Sequence, residues 1–288
     1  LFDTMGFERP KYAHYPVIMK MEDNRRRKIS KRKDAEASVS FFLEEGYPKY
    51  GFLEYLLTIA NSNYEAWRET HLDADYLDFE LRFDKMALDG ALFDLAKVQS
   101  ISKERMAYRS AVDLCEEVKE WAKVYQKELY EKITADESYF ISILNIERNK
   151  EKPRKDYAKY GDIYPMIGFF YDDVYETIDL DALPWNEQIE RGEIKACLMD
   201  YAASMQMDLS EEEWFASLKQ LALRHGFSDN VKEWKKNKAA FKGHIGDVSE
   251  FLRIALSGRK NAPNLYYIIQ ILGEQKVKQR IKQVVSTL

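Results

Sequence analysis

Residues 210–226 read SEEEWFASLKQLALRHG, a stretch that carries signals for both ends of one helix. Ser210 and Glu213 have the spacing of a capping box, in which each side chain bonds to the backbone N–H of the other residue. Gly226 follows the last apolar position and is the residue type that most often ends a helix. The apolar side chains between these ends recur at steps of three and four: Trp214, Leu218 and Leu221. The stretch therefore predicts an amphipathic helix from Ser210 to Gly226.

The same helical pattern recurs elsewhere in the chain. Apolar residues with helical spacing occupy three further segments: 114–129, 248–256 and 277–285. Asn264 is expected to begin another helix that Gly273 ends, and Thr134 with Glu137 has the spacing of a second capping box. Strand-like alternation is scarce after about residue 20. These patterns predict a mainly α fold.

The composition excludes several classes of protein. The chain has 288 residues, of which 45% are hydrophobic, and this length predicts about two globular domains. Its uncharged apolar runs are shorter than the roughly 20 residues needed to cross a bilayer, so we expect no membrane span. The two cysteines, Cys115 and Cys197, form no CxxC motif, and the four histidines are far apart in sequence. We therefore expect neither a disulfide framework nor a structural metal, and a location in the reducing cytoplasm.

Charge is unevenly distributed along the chain. Residues 1–33 contain ten Lys or Arg and four Asp or Glu, and residues 224–282 contain 13 and five. The segment between these two basic regions is strongly acidic. A charge run most often forms a solvated helix face. Two separated basic regions also fit the binding of RNA, because polyanions respond to the local potential and not to the net charge of −5.

The first basic region contains the pentapeptide KISKR at residues 28–32. It resembles the KMSKS signature of class I aminoacyl-tRNA synthetases, with Ile29 in place of Met and Arg32 in place of the last Ser. Four further segments resemble bacterial glutamyl-tRNA synthetases in the order of that family: 5–20, 33–57, DGALFDLAKV at 89–98, and the anticodon-binding signature at 245–281. The resemblance therefore spans the whole chain and is weakest at about 105–240.

The resemblance implies a role for the loop in the chemistry of the complete enzyme. That enzyme would use ATP with Mg²⁺ to form glutamyl-adenylate and then attach glutamate to tRNA-Glu. Negative charge builds up on the departing phosphates and has to be met by positioned cations. The family pattern puts Lys31 on the ATP phosphates, with Lys28 and Ser30 shaping the loop. The backbone groups expected beside the adenine belong to Ile18, Met19 and Lys20.

Two sets of residues are expected to contact tRNA. Three adjacent arginines could touch the RNA backbone or only keep a surface loop solvated: Arg25, Arg26 and Arg27. The C-terminal candidates by resemblance are Arg253, Arg259, Leu265 and Lys276. Arg253 is the strongest of these, because a guanidinium can pair with base edges in a bidentate way. Its alternative role is an ion pair with Glu250.

The second basic region interleaves lysines with aromatic residues. The lysines are Lys232, Lys235, Lys236, Lys238 and Lys242, and the aromatic residues are Phe227, Trp234 and Phe241. Splayed anticodon bases need stacking surfaces and positive charges of this kind. Each aromatic residue could instead belong to the core, so the pattern leaves both interpretations open.

The resemblance also implies an organisation for the chain. Residues 1–104 would hold the end of the catalytic domain, the KMSKS loop and the stem-contact region, and 105–195 and 196–288 would be two helical anticodon-binding subdomains. The other class I signature, HIGH, is absent. HIGD at 244–247 lies downstream of KISKR, in the wrong order, and is expected only to begin the helix at 248. The chain starts at Leu1 without a Met, so we expect the C-terminal portion of a longer enzyme, inactive alone.

Some alternatives stay open from the sequence. A stand-alone tRNA-binding or regulatory module derived from a synthetase would carry the same motifs. A helical interaction protein with incidental basic faces would bind RNAs without preference. We expect a monomer that binds neither membranes nor DNA, and the sequence does not decide whether tRNA-Gln is also a substrate.

Overall fold

The computed structural model describes residues 1–12, 14–86 and 89–288. Ala13, in the family-like segment 5–20, lies outside the described residues. The chain forms two compact units: unit 1 contains 1–109, 120–126 and 154–162, and unit 2 contains 110–119, 127–153 and 163–288. The division of the chain at residues 104 and 195 stays a prediction.

Unit 1 combines one hairpin with helices. Its elements are α1 (Phe2–Met5), β1 (Met19–Glu22), β2 (Arg25–Lys28), α2 (Val39–Glu45), α3 (Lys49–Ala60), α4 (Tyr64–Thr70) and α5 (Leu95–Ala107). Short 3₁₀ helices cover Ala35–Ala37, Tyr76–Asp78, Phe83–Lys85 and Tyr160–Asp162. Helix α6 (Ala111–Tyr125) is divided between the two units after residue 119.

Among the described residues of unit 2 the regular elements are helices, and Ser228 and His244 form one isolated β-bridge. Its helices are α7 (Lys127–Ala135), α8 (Glu137–Leu144), α9 (Ile163–Ile167), α10 (Asp172–Tyr175), α11 (Arg191–Ser204), α12 (Glu211–Arg224), α13 (Val231–Lys236), α14 (Ile245–Ser257) and α15 (Leu265–Val285). Gly168–Phe170 and Lys238–Ala240 are 3₁₀ helices. With one two-stranded sheet among the described residues, the predicted mainly α fold is confirmed.

The hairpin of β1 and β2 is held by its turn and by its base. Asp23 and Asn24 both have positive φ, 48° and 61°, which is the conformation of the two-residue turn that suits the twist of a hairpin. At the base, Ile18 and Ile29 pack against the core of unit 1. The buried residues of that core are Phe42, Tyr47, Tyr55, Phe93 and Val98. The base of the basic hairpin is therefore packed on the apolar core of unit 1.

The segment DGALFDL lies directly against this hairpin. The Met19 N–H donates to the Ala91 carbonyl at 2.8 Å, and the Phe93 N–H donates to the Met19 carbonyl at 2.7 Å. A Cβ at Gly90 would lie 2.4 Å from the Val17 carbonyl oxygen, so this approach requires glycine. Two segments that resemble the same family in sequence are thus in contact in the fold.

The helix predicted from 210–226 forms as expected. The Ser210 Oγ accepts from the Glu213 N–H at 3.3 Å, and the Glu213 Oε2 accepts from the Ser210 N–H at 2.9 Å, which completes the capping box. Gly226 has φ 80° just after the helix. Asn264 caps α15, and Gly273 interrupts it with a non-helical φ of 77°, as predicted. Helix α14 packs against α11, α12 and α15 and forms the centre of the unit 2 core.

Two details of the sequence prediction are wrong. Thr134 does not cap α8: its Oγ1 donates to the Tyr130 carbonyl inside α7, and Asp136 accepts from the Tyr139 N–H instead. Asp136, which is closer to the start of α8, takes the cap position.

The apolar face over 114–129 is also broken by the boundary between α6 and α7, and Tyr125 is 46% exposed. No helix among the described residues is long and apolar enough to cross a membrane.

Candidate loop site and nucleic-acid interface

The KISKR segment ends β2 and then forms a closed turn. The Ser30 carbonyl accepts from the N–H groups of Lys33 at 3.0 Å and Asp34 at 2.8 Å. The Ser30 N–H donates to the Asp34 carboxylate at 2.8 Å. Residues 31–33 are therefore held between two ends that are bonded to each other.

Asp34 is the centre of an ionic network on the inner face of the hairpin. Its side chain is only 3% exposed and receives two bonds from the Arg27 guanidinium, at 2.6 and 2.7 Å. The Lys20 ammonium adds a third, at 3.1 Å, and also pairs with Glu36. The bonds from Arg27, together with that from the Ser30 N–H, lower the pKa of Asp34 far below its usual range. Asp34 is therefore an ionised anchor between two strands and a loop.

The candidate loop residues separate into two groups. Lys20 and Arg27 are cross-strand partners, so alternation puts both side chains on the face that holds Asp34. Four other candidates have exposed side chains with no hydrogen-bond or ion-pair partner among the described residues: Arg25, Arg26, Lys28 and Lys31. The basic loop thus offers some of its cations to a ligand and uses others to hold itself.

The backbone groups expected beside the adenine already have partners. The Ile18 carbonyl accepts from the Ile29 N–H at 3.0 Å. Both backbone groups of Met19 bond to the 91–93 segment. A carbonyl has a second lone pair, so this pairing leaves the adenine contact a prediction.

The second basic region centres on the short helix α13. Lys232, Lys235 and Lys236 have exposed side chains without an ion-pair partner among the described residues. Trp234 is half-buried: the Lys238 ammonium lies 5.0 Å above its ring, and the His244 ring packs edge-on at 4.8 Å. Phe227, in contrast, is 0% exposed and belongs to the core. Phe241 is half-buried. Phe227 therefore fits the core interpretation, while Trp234 and Phe241 keep some surface on which RNA bases can stack.

A family model described as an anticodon binding domain matches residues 113–285. The chain belongs to this anticodon-binding family. The match covers all of α13, α14 and α15, where the second basic region lies.

Curated relatives extend the similarity to the rest of the chain. A glutamate–tRNA ligase of Clostridium beijerinckii is 42% identical over 283 residues, which cover 97% of this chain and 51% of the relative. The corresponding ligase of Clostridium perfringens strain SM101 is 38% identical over 283 residues and 98% of this chain. The chain spans about half the length of the curated relatives it matches.

Solved structures show the same fold. A glutamate tRNA ligase from Elizabethkingia meningosepticum in complex with its amino acid superposes with a TM-score of 0.60 at 18% identity, over 100% of this chain and 53% of that chain. The enzyme from Elizabethkingia anophelis gives 0.61 at 17% identity, with 99% and 53% covered. At this identity the likeness concerns the fold alone.

The remaining candidates occupy different environments within the anticodon-binding domain. Arg253 is half-buried on α14, and Glu250, its alternative partner from the sequence, pairs with Lys260 at 3.2 Å. Arg259 donates to the Pro165 carbonyl at 2.8 Å. Leu265 is only 3% exposed, so its side chain packs in the core and offers no surface to RNA in this conformation. Their roles in tRNA binding stay predictions.

Lys276 belongs to a network that sequence reasoning missed. It pairs with Asp172 at 2.7 Å, and Arg280, which is 2% exposed, pairs with the same carboxylate at 3.0 Å. Arg280 also donates to the Leu256 carbonyl at 2.8 Å and lies over the Tyr175 ring. The separation of more than 100 residues between these partners leaves no local signal in the sequence.

The HIGD segment has the structural role that its position predicts. The His244 Nδ1 accepts from the Gly246 N–H at 2.9 Å, and the Asp247 carboxylate accepts from the His244 N–H at 2.8 Å. These bonds form a capping box at the start of α14. Across the described residues, no group of three or more His, Cys, Asp or Glu side chains could hold a metal ion.

Proposed function

We propose that this chain is the tRNA-binding half of a glutamate–tRNA ligase, which attaches glutamate to tRNA-Glu with ATP. The observation that carries the proposal is the alignment of 97–98% of the chain with about half of each ligase. The anticodon-binding family match supports the assignment of RNA recognition to unit 2. Both basic regions carry exposed lysines or arginines, which suit the phosphates of ATP and of RNA.

In this proposal the KISKR loop handles ATP in the longer protein. Lys31 is exposed on the closed turn, so its ammonium is available to the phosphates, and any Mg²⁺ would arrive with the nucleotide. Lys28 is exposed beside it, and Ser30 holds the turn through three backbone bonds. A cation in this position stabilises the charge that develops as pyrophosphate departs.

The anticodon surface is formed by α13 and the start of α14. Trp234 offers part of its ring for stacking, and the exposed lysines around it attract the RNA backbone. Stacking is worth about 1 to 3 kcal/mol per base, and each released counterion adds salt dependence. Arg253 and the arginines of β2 are further candidate contacts, and Arg259 and Lys276 would have to leave their present partners to join them.

The ligase assignment predicts that this chain alone does not form glutamyl-adenylate. It carries one of the two class I signatures, so it lacks the other half of the ATP site. ATP–pyrophosphate exchange above background by the purified chain would contradict this proposal.

The cellular setting follows from the same proposal. Cys115 and Cys197 are buried and unpaired, and burial raises the pKa of their thiols to about 11 and about 12. Cysteines without a disulfide are usual in a reducing compartment, so their unpaired state fits the cytoplasm. We propose a monomer there, and sedimentation of the chain with and without tRNA measures this.

Fluorescence anisotropy tests the RNA preference. The chain is titrated with tRNA-Glu, with the same tRNA carrying a changed anticodon, with tRNA-Gln and with an unrelated tRNA, each across a salt series. We expect tight binding to tRNA-Glu that weakens when the anticodon changes. Equal affinity for all four RNAs, with only a steep salt dependence, would reduce the basic regions to general polyanion surfaces.

A further inference from the structure

We propose that Asp34 is a positioning residue that sets the place of Lys31. It does so by fixing both ends of the turn that carries this lysine. The inference rests on the proposed role of the KISKR loop in ATP handling. None of the sequence motifs assigned a function to Asp34.

The first argument is the geometry of the turn. Asp34 is bonded twice to Ser30, since its N–H donates to the Ser30 carbonyl and its carboxylate accepts from the Ser30 N–H, both at 2.8 Å. Lys31 lies inside this closed ring, so its backbone has few alternative positions. The exposed ammonium of Lys31 is then the mobile end of a side chain with a fixed origin.

The second argument is the anchoring of Asp34 itself. Arg27 grips the carboxylate with two nitrogens, and Lys20 from the neighbouring strand adds a third contact. Bidentate arginine pairs fix orientation as well as distance. Asp34 therefore fixes the position of the loop relative to β1 and β2. The base of this hairpin is bonded to the 91–93 segment and packs on the core of unit 1.

The third argument concerns competing charges. Without the carboxylate, Lys20 would keep only Glu36 and Arg27 only Glu22, and both would lose the buried partner that they share. Asp34, Glu22 and Glu36 together neutralise Lys20 and Arg27, and Lys28 and Lys31 are among the cations that stay exposed.

The test uses Asp34→Asn, Asp34→Glu and a matched control, Asp23→Asn. Asn keeps the size of the side chain but loses the buried charge that holds Arg27 and Lys20, while Glu22 stays bound to Arg27. Glu keeps the charge but moves the carboxylate by one methylene. Asp23 lies exposed in the hairpin turn and has no side-chain partner in the described part of the chain, so its change to Asn removes the same charge without touching the network.

The first readout is amide hydrogen exchange in this chain. We expect Asp34→Asn to speed exchange at residues 30–34 by about tenfold or more, the scale of one lost charge-assisted bond, while α3 and α5 stay protected. Asp23→Asn should leave the loop unchanged. Wild-type exchange at 30–34 in Asp34→Asn would overturn the inference, because the carboxylate would then not hold the turn.

The second readout is ATP–pyrophosphate exchange in the longer protein. We expect both Asp34 variants to lower kcat by about tenfold to a hundredfold, with the KM for glutamate unchanged, since small misplacements of a catalytic group have effects of this size. Wild-type kcat in Asp34→Glu would mean that charge alone matters and would overturn the positioning role. If instead Lys31→Ala leaves kcat unchanged, the proposed loop function itself fails, whatever the Asp34 variants do.

Discussion

The two basic regions of the chain look alike in sequence but differ in how the fold uses them. In the hairpin, Lys20 and Arg27 are bound to a buried carboxylate, while the other cations of β2 and the loop are exposed. Around α13, the lysines at 232, 235 and 236 are all exposed and have no ion-pair partner within the described residues. A run of basic residues therefore predicts where cations lie in the sequence. The acidic residues that pack against them in the fold determine which cations are available to bind a ligand.

The difference has a simple structural origin. Strand alternation puts Lys20 and Arg27 on the face that holds Asp34, whereas Arg26 and Lys28 lie on the opposite face. A helix of six residues has too little surface to bury its lysines, and its one acidic residue, Glu233, precedes two of them. Single substitutions can separate the cations that hold the fold from the cations that are free for a ligand.

The largest effect is expected for the free cation of the loop. Lys31→Ala in the longer protein should slow glutamate activation by about 10² to 10³, the usual loss for one transition-state donor. Pyrophosphate exchange under saturating glutamate measures this. Lys33→Ala, an exposed lysine two positions away, is the control and should change the rate by less than about threefold. Equal effects of the two changes would remove the special role of Lys31.

A held cation should instead affect stability. Arg280→Ala removes a 2% exposed side chain, its bond to the Leu256 carbonyl and its pair with Asp172, so we expect the free energy of unfolding to fall by about 2 to 4 kcal/mol. Lys278→Ala, which loses only an exposed pair with Glu274 on the same helix, should cost less than about 0.5 kcal/mol. Urea denaturation measures both. A loss of unfolding free energy for Arg280→Ala as small as that for Lys278→Ala would mean that the Arg280 network does not stabilise the fold.

The half-buried ring of Trp234 in the second region should matter for RNA and little for folding. Trp234→Ala should weaken binding of the anticodon stem-loop by about tenfold, the scale of one lost stack. Phe215→Ala is the matched control, because its ring is 40% exposed and also lies under a lysine, Lys219, at 5.1 Å. Anisotropy with a labelled RNA hairpin measures the difference. Similar losses for both variants would mean that aromatic exposure alone determines binding.

The smallest expected effect concerns individual lysines. Changing Lys235 and Lys236 together to Gln should lower the slope of log affinity against log salt by about 1.4, or about 0.7 for each phosphate contact. Lys242→Gln should change the slope less, since Lys242 pairs with Glu193 at 2.6 Å. A larger effect of Lys242 than of the other pair would reverse the assignment of free and held cations.

Local signals in the sequence predicted most of the helix boundaries. Ser210, Gly226, Asn264 and Gly273 act within one or two turns of the backbone, and their roles are confirmed. The prediction that Thr134 caps α8 is wrong because Asp136, two residues later, lies at the N-cap position itself. The mainly α fold class followed from these signals.

Long-range partners could not be predicted in the same way. The pairing of Arg280 with Asp172 spans 108 residues, and the burial of Asp34 depends on a hairpin turn and a cross-strand pair. Leu265 was expected on the RNA surface, but its place in the core is decided by helix packing. For the candidate site, the sequence located the KISKR loop and the second basic region but not the carboxylate that organises the first.

The most direct test is an amide-exchange footprint of the chain with the anticodon stem-loop of tRNA-Glu. The account predicts protection at residues 231–241 in unit 2, no protection at 25–33, and loss of the footprint when the anticodon is changed. Protection at the hairpin instead, or an identical footprint with an unrelated RNA hairpin, would contradict the claim that unit 2 carries the specific RNA surface.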